Sequence, residues 1–276
     1  MDFKQTLRKN AERTEELLKR VTSDFAQNQV NQAIEYSLLN GGKRLRPSLV
    51  FETAKLFDVN DGNVERIAMA IVMIHTYSLI HDDLPCMDND DFRRGKPSCH
   101  KQFGEDIAVL AGDGLLNLAA ETLLGGNYSQ NYFDAIKLVF DCSGIFGMIG
   151  GQAIDISQNK TNDFETLEFL TENKTAKLIM ACTCATAIYC GANKSQKESL
   201  CDFAKNFGIA FQIADDLLDA ETDKNLSFTN LFGIDGAKEQ LEKYTNFALN
   251  ELNSCFEKEK LAFFEQLLDF NLKRNH

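Results

Sequence analysis

The sequence predicts an all-α fold, and three observations carry that expectation. Only three prolines occur in 276 residues, Pro47, Pro85 and Pro97, so nothing after position 97 must break a helix. Four long stretches repeat apolar residues at helical spacing, often nearly all round: "TLRKNAERTEELLKRV", "VERIAMAIVMIHTYSLIHDD", "NKTAKLIMACTCATAIYC" and "AKNFGIAFQIADDLLDA". Hairpin signals such as Asn-Gly between alternating runs are missing.

The first stretch is an amphipathic charged helix without an apolar h-region, so no secretory signal is expected. The second, apolar on most faces, belongs in the interior of a large bundle. Its run over 67–80 is too short, and too interrupted by His75 and Thr76, to cross a membrane. The third carries Cys182, Cys184 and Cys190 without paired C-x-x-C spacing or a nearby histidine, which reads as small apolar packing. Eight cysteines in a chain of this length do not form a disulfide framework, so reduced thiols and a cytoplasmic location are expected. No linker, low-complexity tract or repeat interrupts residues 1–276, which are read as one domain. A formal charge of −12 argues against nucleic acid as a partner, but a few placed cations still suffice for a small anion.

Local charge is patterned more tightly than the total. Ahead of "LIHDDLPCMDNDDFRRG" (79–95), His75 precedes Asp82 by seven residues and shares its stripe. On an ideal helix Asp88 lies about 240° from Asp82, but Pro85 ends or distorts the helix, and a break across 84–87 brings Asp88 back to the same side. The run alone is either a solvated acidic loop or a hard-cation site; it lacks the Asx and Gly positions of an EF-hand. A second motif, "FQIADDLLD", places Asp215 and Asp219 one turn apart, Asp216 beside them, with Gln212 and Gly208 on the same stripe. Carboxylates on an apolar helix are expensive unless paired or metal-bound. Two such helices suggest carboxylates opposed across a cavity with cations between them. Of nine arginines, four lie in "GGKRLRP" and "DDFRRGKP", and arginine suits bidentate phosphate recognition. Lys43 and Arg46 sit at i, i+3, Gly41-Gly42 permits close backbone approach, and no Walker A loop occurs. The joint pattern favours diphosphates.

In this order, "GGKRLRP", "DDLPCMD", "RRGKP", "GGQAIDI", "NKT" and "FQIADDLLD" resemble the trans-polyprenyl diphosphate synthases, most closely the bacterial farnesyl diphosphate type. The resemblance implies an isoprenoid-synthase bundle around a deep apolar cavity, a homodimer, and Mg²⁺, three ions in all, with Mn²⁺ as the alternative. It implies Asp82, Asp88 and Asp215 as main metal ligands, supported by Asp83, Asp216 and Asp219. Arg93, Lys174, Thr175 and Gln212 would serve the allylic diphosphate and its chain. Lys43, Arg46, His75 and Arg94 would hold isopentenyl diphosphate. Asp82, Asp88, Asp215 and Lys174 are therefore the expected catalytic group, with Gln152 and Asp155 as support. Tyr77 and Ser78, five and four residues before the first aspartate, correspond to the floor of the chain pocket, and the aromatic together with the Pro-Cys insertion points to a C15 product. A geranylgeranyl (C20) synthase and a class I terpene cyclase are the alternatives; a cyclase would not need "GGKRLRP". Related enzymes carry a longer segment after the second motif, ending in Lys-[Ser/Thr]-Tyr-Pro; here "KNLSFTNLFG" stands in that place, with Lys224 as the substitute cation.

Overall fold

The structure, a computed structural model, describes residues 2–157, 161–220 and 226–274. Its regular structure over these residues is helical except for one two-stranded pair. The chain forms two compact units, one of Met1–Phe51 with Asn60–Ser129, the other of Glu52–Val59 with Gln130–His276.

The first unit begins with α1 (Phe3–Thr22), which buries Phe3, Leu17 and Leu18 and keeps its charges outside. Helix α2 (Gln29–Leu38) starts at Asn28, whose side chain accepts from Asn31 N. Helix α3 (Leu45–Leu56) accommodates Pro47 in its first turn, where the missing N–H costs nothing; its last turn is counted in the second unit. Helix α4 (Gly62–Asp82) is capped by the Asp61 carboxylate and is buried from Val64 to Ile74 save two positions. After it come β1 (Phe92–Arg93), β2 (Lys96–Pro97), the short α5 (Cys99–Phe103) and α6 (Glu105–Leu124). Helices α4 and α6 pack closely because position 112 is glycine: a Cβ there would lie 2.0 Å from His81 Nε2.

The β1–β2 hairpin departs from the expectation of no hairpin. Its register pairs Phe92 with Pro97 and Arg93 with Lys96, leaving Arg94-Gly95 as a two-residue turn. Both turn residues have positive φ, 53° and 75°, as such tight turns require. An arginine in that conformation is uncommon, so the turn carried no Asn-Gly signal.

The second unit holds α7 (Gln130–Ser143), α8 (Met148–Asp155) and a helical rod over 164–189. Helical spacing over 173–190 predicts helix there. In the structure α9 (Phe164–Leu170), α10 (Lys177–Met180) and α11 (Thr186–Tyr189) are separated by π-helical segments at Thr171–Ala176 and Ala181–Ala185. Helix α12 (Lys194–Leu218) starts with an Asn193/Gln196 capping box. Helix α13 (Phe228–Asn253) breaks at Gly233, φ 70°, and α14 (Ala262–Leu272) follows. Ile209, Ile213 and Leu217 of α12 pack with Phe228, Leu241 and Tyr244 of α13 in one apolar core. Cys182 and Cys184 are buried, as expected, but Cys184 is paired with Cys201 of α12, Cα atoms 5.5 Å apart. That pairing corrects the expectation that every thiol is reduced.

Candidate active site

In the first unit, the chain after α4 turns as Pro85 demands. Leu84 N bonds to His81 O and Met87 N to Leu84 O, and Asp88 N then reaches Asp82 O at 2.9 Å. The break therefore returns Asp88 to the end of the helix that carries Asp82, with Asp82 partly and Asp88 fully exposed. Asp83 is different. It is only 2% exposed and receives Arg93 Nε at 3.0 and 3.3 Å and Arg93 Nη2 more closely still. Burial pushes its carboxyl above the ordinary range, with Arg93 pulling it back. Asp83 thus holds Arg93 in place, and Asp90, to which the sequence assigned nothing, receives Arg93 Nη2 at 2.9 Å.

Arg94 donates from Nη1 to Gly41 O at 2.7 Å, and Gly42, whose φ of 106° favours glycine, lets the guanidinium lie close against the backbone. The two glycine and arginine motifs are thereby joined. Arg44 is spent on structure: it bonds Glu15 Oε1 at 2.7 Å and Leu38 O at 2.5 Å. Lys43 is exposed and Arg46 partly so. His75 titrates well below its ordinary value because of burial first, then the charges of Arg46, Arg94, Arg44 and Arg93. Arg94 is itself lowered, by burial and by Arg44, Arg93 and Arg46. Cations crowded until they depress one another form a site prepared for an anion. Beside it, a small cleft is lined by Tyr36, Asn40, Asp83, Arg93, Arg94 and Ser98, among others. Ser78 returns its hydroxyl to His75 O at 3.0 Å, whereas the Tyr77 ring is 6% exposed and packs edge-on to His81, 5.9 Å between centroids. The Tyr77 hydroxyl has no partner among the described residues, and burial, aided by Asp82, pushes its pKa to about 12.

In the second unit, the π-helical segment Thr171–Ala176 carries Lys174 and Thr175, and such irregularities are frequent at functional sites. Lys174 Nζ bonds Asp155 Oδ2 at 2.7 Å. Thr175 Oγ1 donates to Gln212 Oε1 at 3.0 Å, Gln212 Nε2 donates to Asp216 Oδ1 at 2.9 Å, and Asp216 Oδ2 accepts from Phe228 N at 2.8 Å. Asp216, 5% exposed, therefore ties α12 to the start of α13, while Asp219 is exposed and the half-buried Asp215 pairs with Arg274 Nη1 at 2.8 Å. Two glycines permit this assembly. A Cβ on Gly208 would meet Ala176 Cα at 2.5 Å, and one on Gly151 would meet Lys174 N at 2.5 Å. The Gln152 amide next to it is buried without a partner among the described residues. Asp155, Leu170, Lys174, Gln212 and Asp216 help to line an open cleft. Lys224 lies outside the described residues.

Among the described residues no group of three or more His, Cys, Asp or Glu side chains is assembled for a metal ion. The donors present nevertheless suit Mg²⁺, which takes hard oxygen ligands and is usually held by one or two carboxylates, with water and substrate phosphates completing the shell. The Asp82–Asp88 turn offers two such carboxylates.

Compared with known proteins, residues 27–264 match the family model described as polyprenyl synthetase. The chain is 36% identical over 266 residues to the farnesyl diphosphate synthase of Bacillus subtilis, covering 90% of this chain and 89% of that protein. It is 40% identical over 256 residues to a chloroplastic geranylgeranyl pyrophosphate synthase of Catharanthus roseus, covering 84% and 70%. Among solved structures, a geranyltransferase from Legionella pneumophila superposes with a TM-score of 0.91 at 36% identity, covering 99% of this chain and 96% of that one. An FPP/GFPP synthase from Zymomonas mobilis gives 0.90 at 36% identity, with 98% of each chain covered. With the phosphate-type arginines and both aspartate motifs in place on an all-α isoprenoid-synthase fold, the chain belongs to the polyprenyl synthetase family and is a prenyltransferase.

Proposed function

We propose that this prenyltransferase condenses isopentenyl diphosphate with dimethylallyl or geranyl diphosphate, releasing pyrophosphate and ending at farnesyl diphosphate (C15). The observation that carries the reading is the convergence of Arg46, Arg94, Arg44 and Arg93 on a neutral His75, in the same unit as the Asp82–Asp88 turn. Lys43, Arg46, His75 and Arg94 hold isopentenyl diphosphate, His75 as an uncharged hydrogen-bonding group. Arg93, pre-aimed by Asp83, holds the allylic diphosphate with Lys174. Thr175 and Gln212 border its chain, and Lys224 is assigned to the same diphosphate. Asp82, Asp88 and Asp215 are the carboxylates for Mg²⁺, or Mn²⁺ as alternative, with Asp219 in support and Asp83 and Asp216 acting through the groups they fix. Bound by these carboxylates, Mg²⁺ would supply positive charge to offset the negative charge growing on the departing pyrophosphate. The chain's own part is to fix both diphosphates so that the isopentenyl double bond faces C1 of the allyl group. Its apolar walls keep water from the allylic cation. Among the described residues no side chain is assigned as the base, and the proton leaves to the pyrophosphate, as the family resemblance implies.

The C15 end point rests on Tyr77, a buried aromatic five residues before Asp82, the position that the family resemblance assigns with Ser78 to the floor of the chain pocket. A C20 product is the second reading, favoured by the names of the plant relatives. Both units act as one catalytic domain, since the family match spans them. A homodimer is supported by α6, a long apolar helix that is only about one-third buried. Val109 and Leu110 stand exposed on it, while Asp113 and Glu121 suit a protein neighbour better than lipid. We place the enzyme in the cytoplasm, where its diphosphate substrates dissolve.

The test is incubation of the purified chain with labelled isopentenyl diphosphate and geranyl diphosphate, with and without Mg²⁺, followed by chain-length analysis. A C15 product formed only with the cation is expected. No condensation under any cation would overturn the reading, and a C20 product would overturn the end point alone.

A further inference from the structure

Arg274 has no role in the scheme above, yet it forms an ion pair with Asp215 in this structure. We propose that Arg274 is a resident cation of the second aspartate motif: it pairs with Asp215 until a divalent cation displaces it, and so sets the cation concentration at which Asp215 is loaded. The proposal rests on the reading of Asp215 as a cation ligand.

The guanidinium is built into its position. Arg274 Nη1 lies 2.8 Å from Asp215 Oδ1, with the side chains 15% and 34% exposed. Its guanidinium carbon stands 4.7 Å from the centroid of the Phe211 ring, one turn before Asp215 on α12. Asn271, only 2% exposed, donates from Nδ2 to Ala210 O at 3.1 Å and accepts from Arg274 Nη1 at 3.5 Å. Leu267 and Leu268, both buried, fix α14 beneath it. Anchoring at Ala210, stacking on Phe211 and pairing at Asp215 thus follow one face of α12.

A guanidinium held this way is already oriented and partly desolvated, so little further entropy is lost in keeping the pair. It occupies an oxygen that a hard cation needs. Were it to stay nearby after cation binding, the like charges would repel. Either way the cation binds against Arg274, and removing the charge tightens binding by about fivefold, the scale of a partly exposed ion pair.

The experiment is titration of the full chain with Mn²⁺ in the presence of inorganic pyrophosphate, following free Mn²⁺ by electron paramagnetic resonance. The variants are Arg274→Gln, Arg274→Lys and Asp215→Asn. Arg274→Gln is expected to tighten the weakest bound Mn²⁺ by about fivefold, Arg274→Lys to tighten it less, and Asp215→Asn to lose one ion. If Asp215→Asn loses an ion but Arg274→Gln leaves affinity unchanged or weaker, the proposal is wrong while the cation reading stands. If Asp215→Asn binds as many ions as the parent, the cation reading of Asp215 fails and takes the proposal with it. A double-mutant cycle between Asp215→Asn and Arg274→Gln, measured by urea unfolding in EDTA, must also show coupling; additive losses would overturn the pairing.

Discussion

Replacing Arg93 with methionine separates what Asp83 does from what Asp82 and Asp88 do. The change keeps an apolar stem but strands a carboxylate that is 3% exposed at its side chain. Removing one partner of a buried pair costs about 3–5 kcal/mol. Arg93 is one-third exposed, so solvent screening reduces this to about 2 kcal/mol. Asp90, half exposed, adds little. For a chain of this size that is a fall in Tm of about 4–8 °C, read by thermal unfolding in EDTA so that no cation contributes. Adding Asp83→Asn is expected to recover at least half the loss, because the stranded charge is gone. The pH dependence has a definite sign. Without Arg93 the folded pKa of Asp83 rises further above its unfolded value, so the deficit is full at neutral pH and shrinks as pH falls through that raised pKa. A Tm unchanged in Arg93→Met, or a double variant whose losses simply add, would refute the assignment of Asp83 as the group that positions Arg93.

Three other outcomes follow from the same geometry. Asp82→Asn or Asp88→Asn should lower kcat by about two orders of magnitude or more while leaving the Tm in EDTA within a few degrees, since neither is buried as Asp83 is; steady-state kinetics beside thermal unfolding checks this. His75 has a folded pKa well below its unfolded value near 6.5, so the stability it contributes is present above that value and lost as pH falls below it. The difference in unfolding free energy between parent and His75→Asn should therefore shrink from pH 7 to pH 5, and a constant difference would contradict the depressed pKa. Gly208→Ala, whose methyl would press on Ala176, should cost about 1–3 kcal/mol and disturb the Thr175–Gln212 bond, measured by urea unfolding and by KM for the allylic substrate.

Much of this arrangement was legible in the residues. Absent prolines and helical periodicity announced the long α-helices, and Pro85 between Asp82 and Asp88 announced the turn that the Asp88 N–Asp82 O bond closes. What sequence alone left undivided were the adjacent aspartates. Asp82 and Asp83, or Asp215 and Asp216, differ by one position, and only burial shows that Asp83 and Asp216 serve neighbouring groups. The hairpin was hidden because Arg94 takes a backbone conformation usually left to glycine or asparagine. The π-helical segment under Lys174 has no local signature; it forms where the rod meets Gly208 and Gly151 at close quarters. The Cys184–Cys201 pairing joins residues seventeen positions apart on different helical elements, a distance that spacing alone does not read.

The central claim is that Asp82, Asp88 and Asp215 are the cation ligands while Asp83 and Asp216 position other groups. A crystal of the chain grown with Mn²⁺ and pyrophosphate, measured for anomalous scattering, tests it most directly. The account predicts Mn²⁺ peaks within coordination distance of the Asp82, Asp88 and Asp215 carboxylates, with Asp83 still on Arg93 and Asp216 still on Gln212 and Phe228 N. Peaks on Asp83 or Asp216, or none at the three predicted carboxylates, would contradict it.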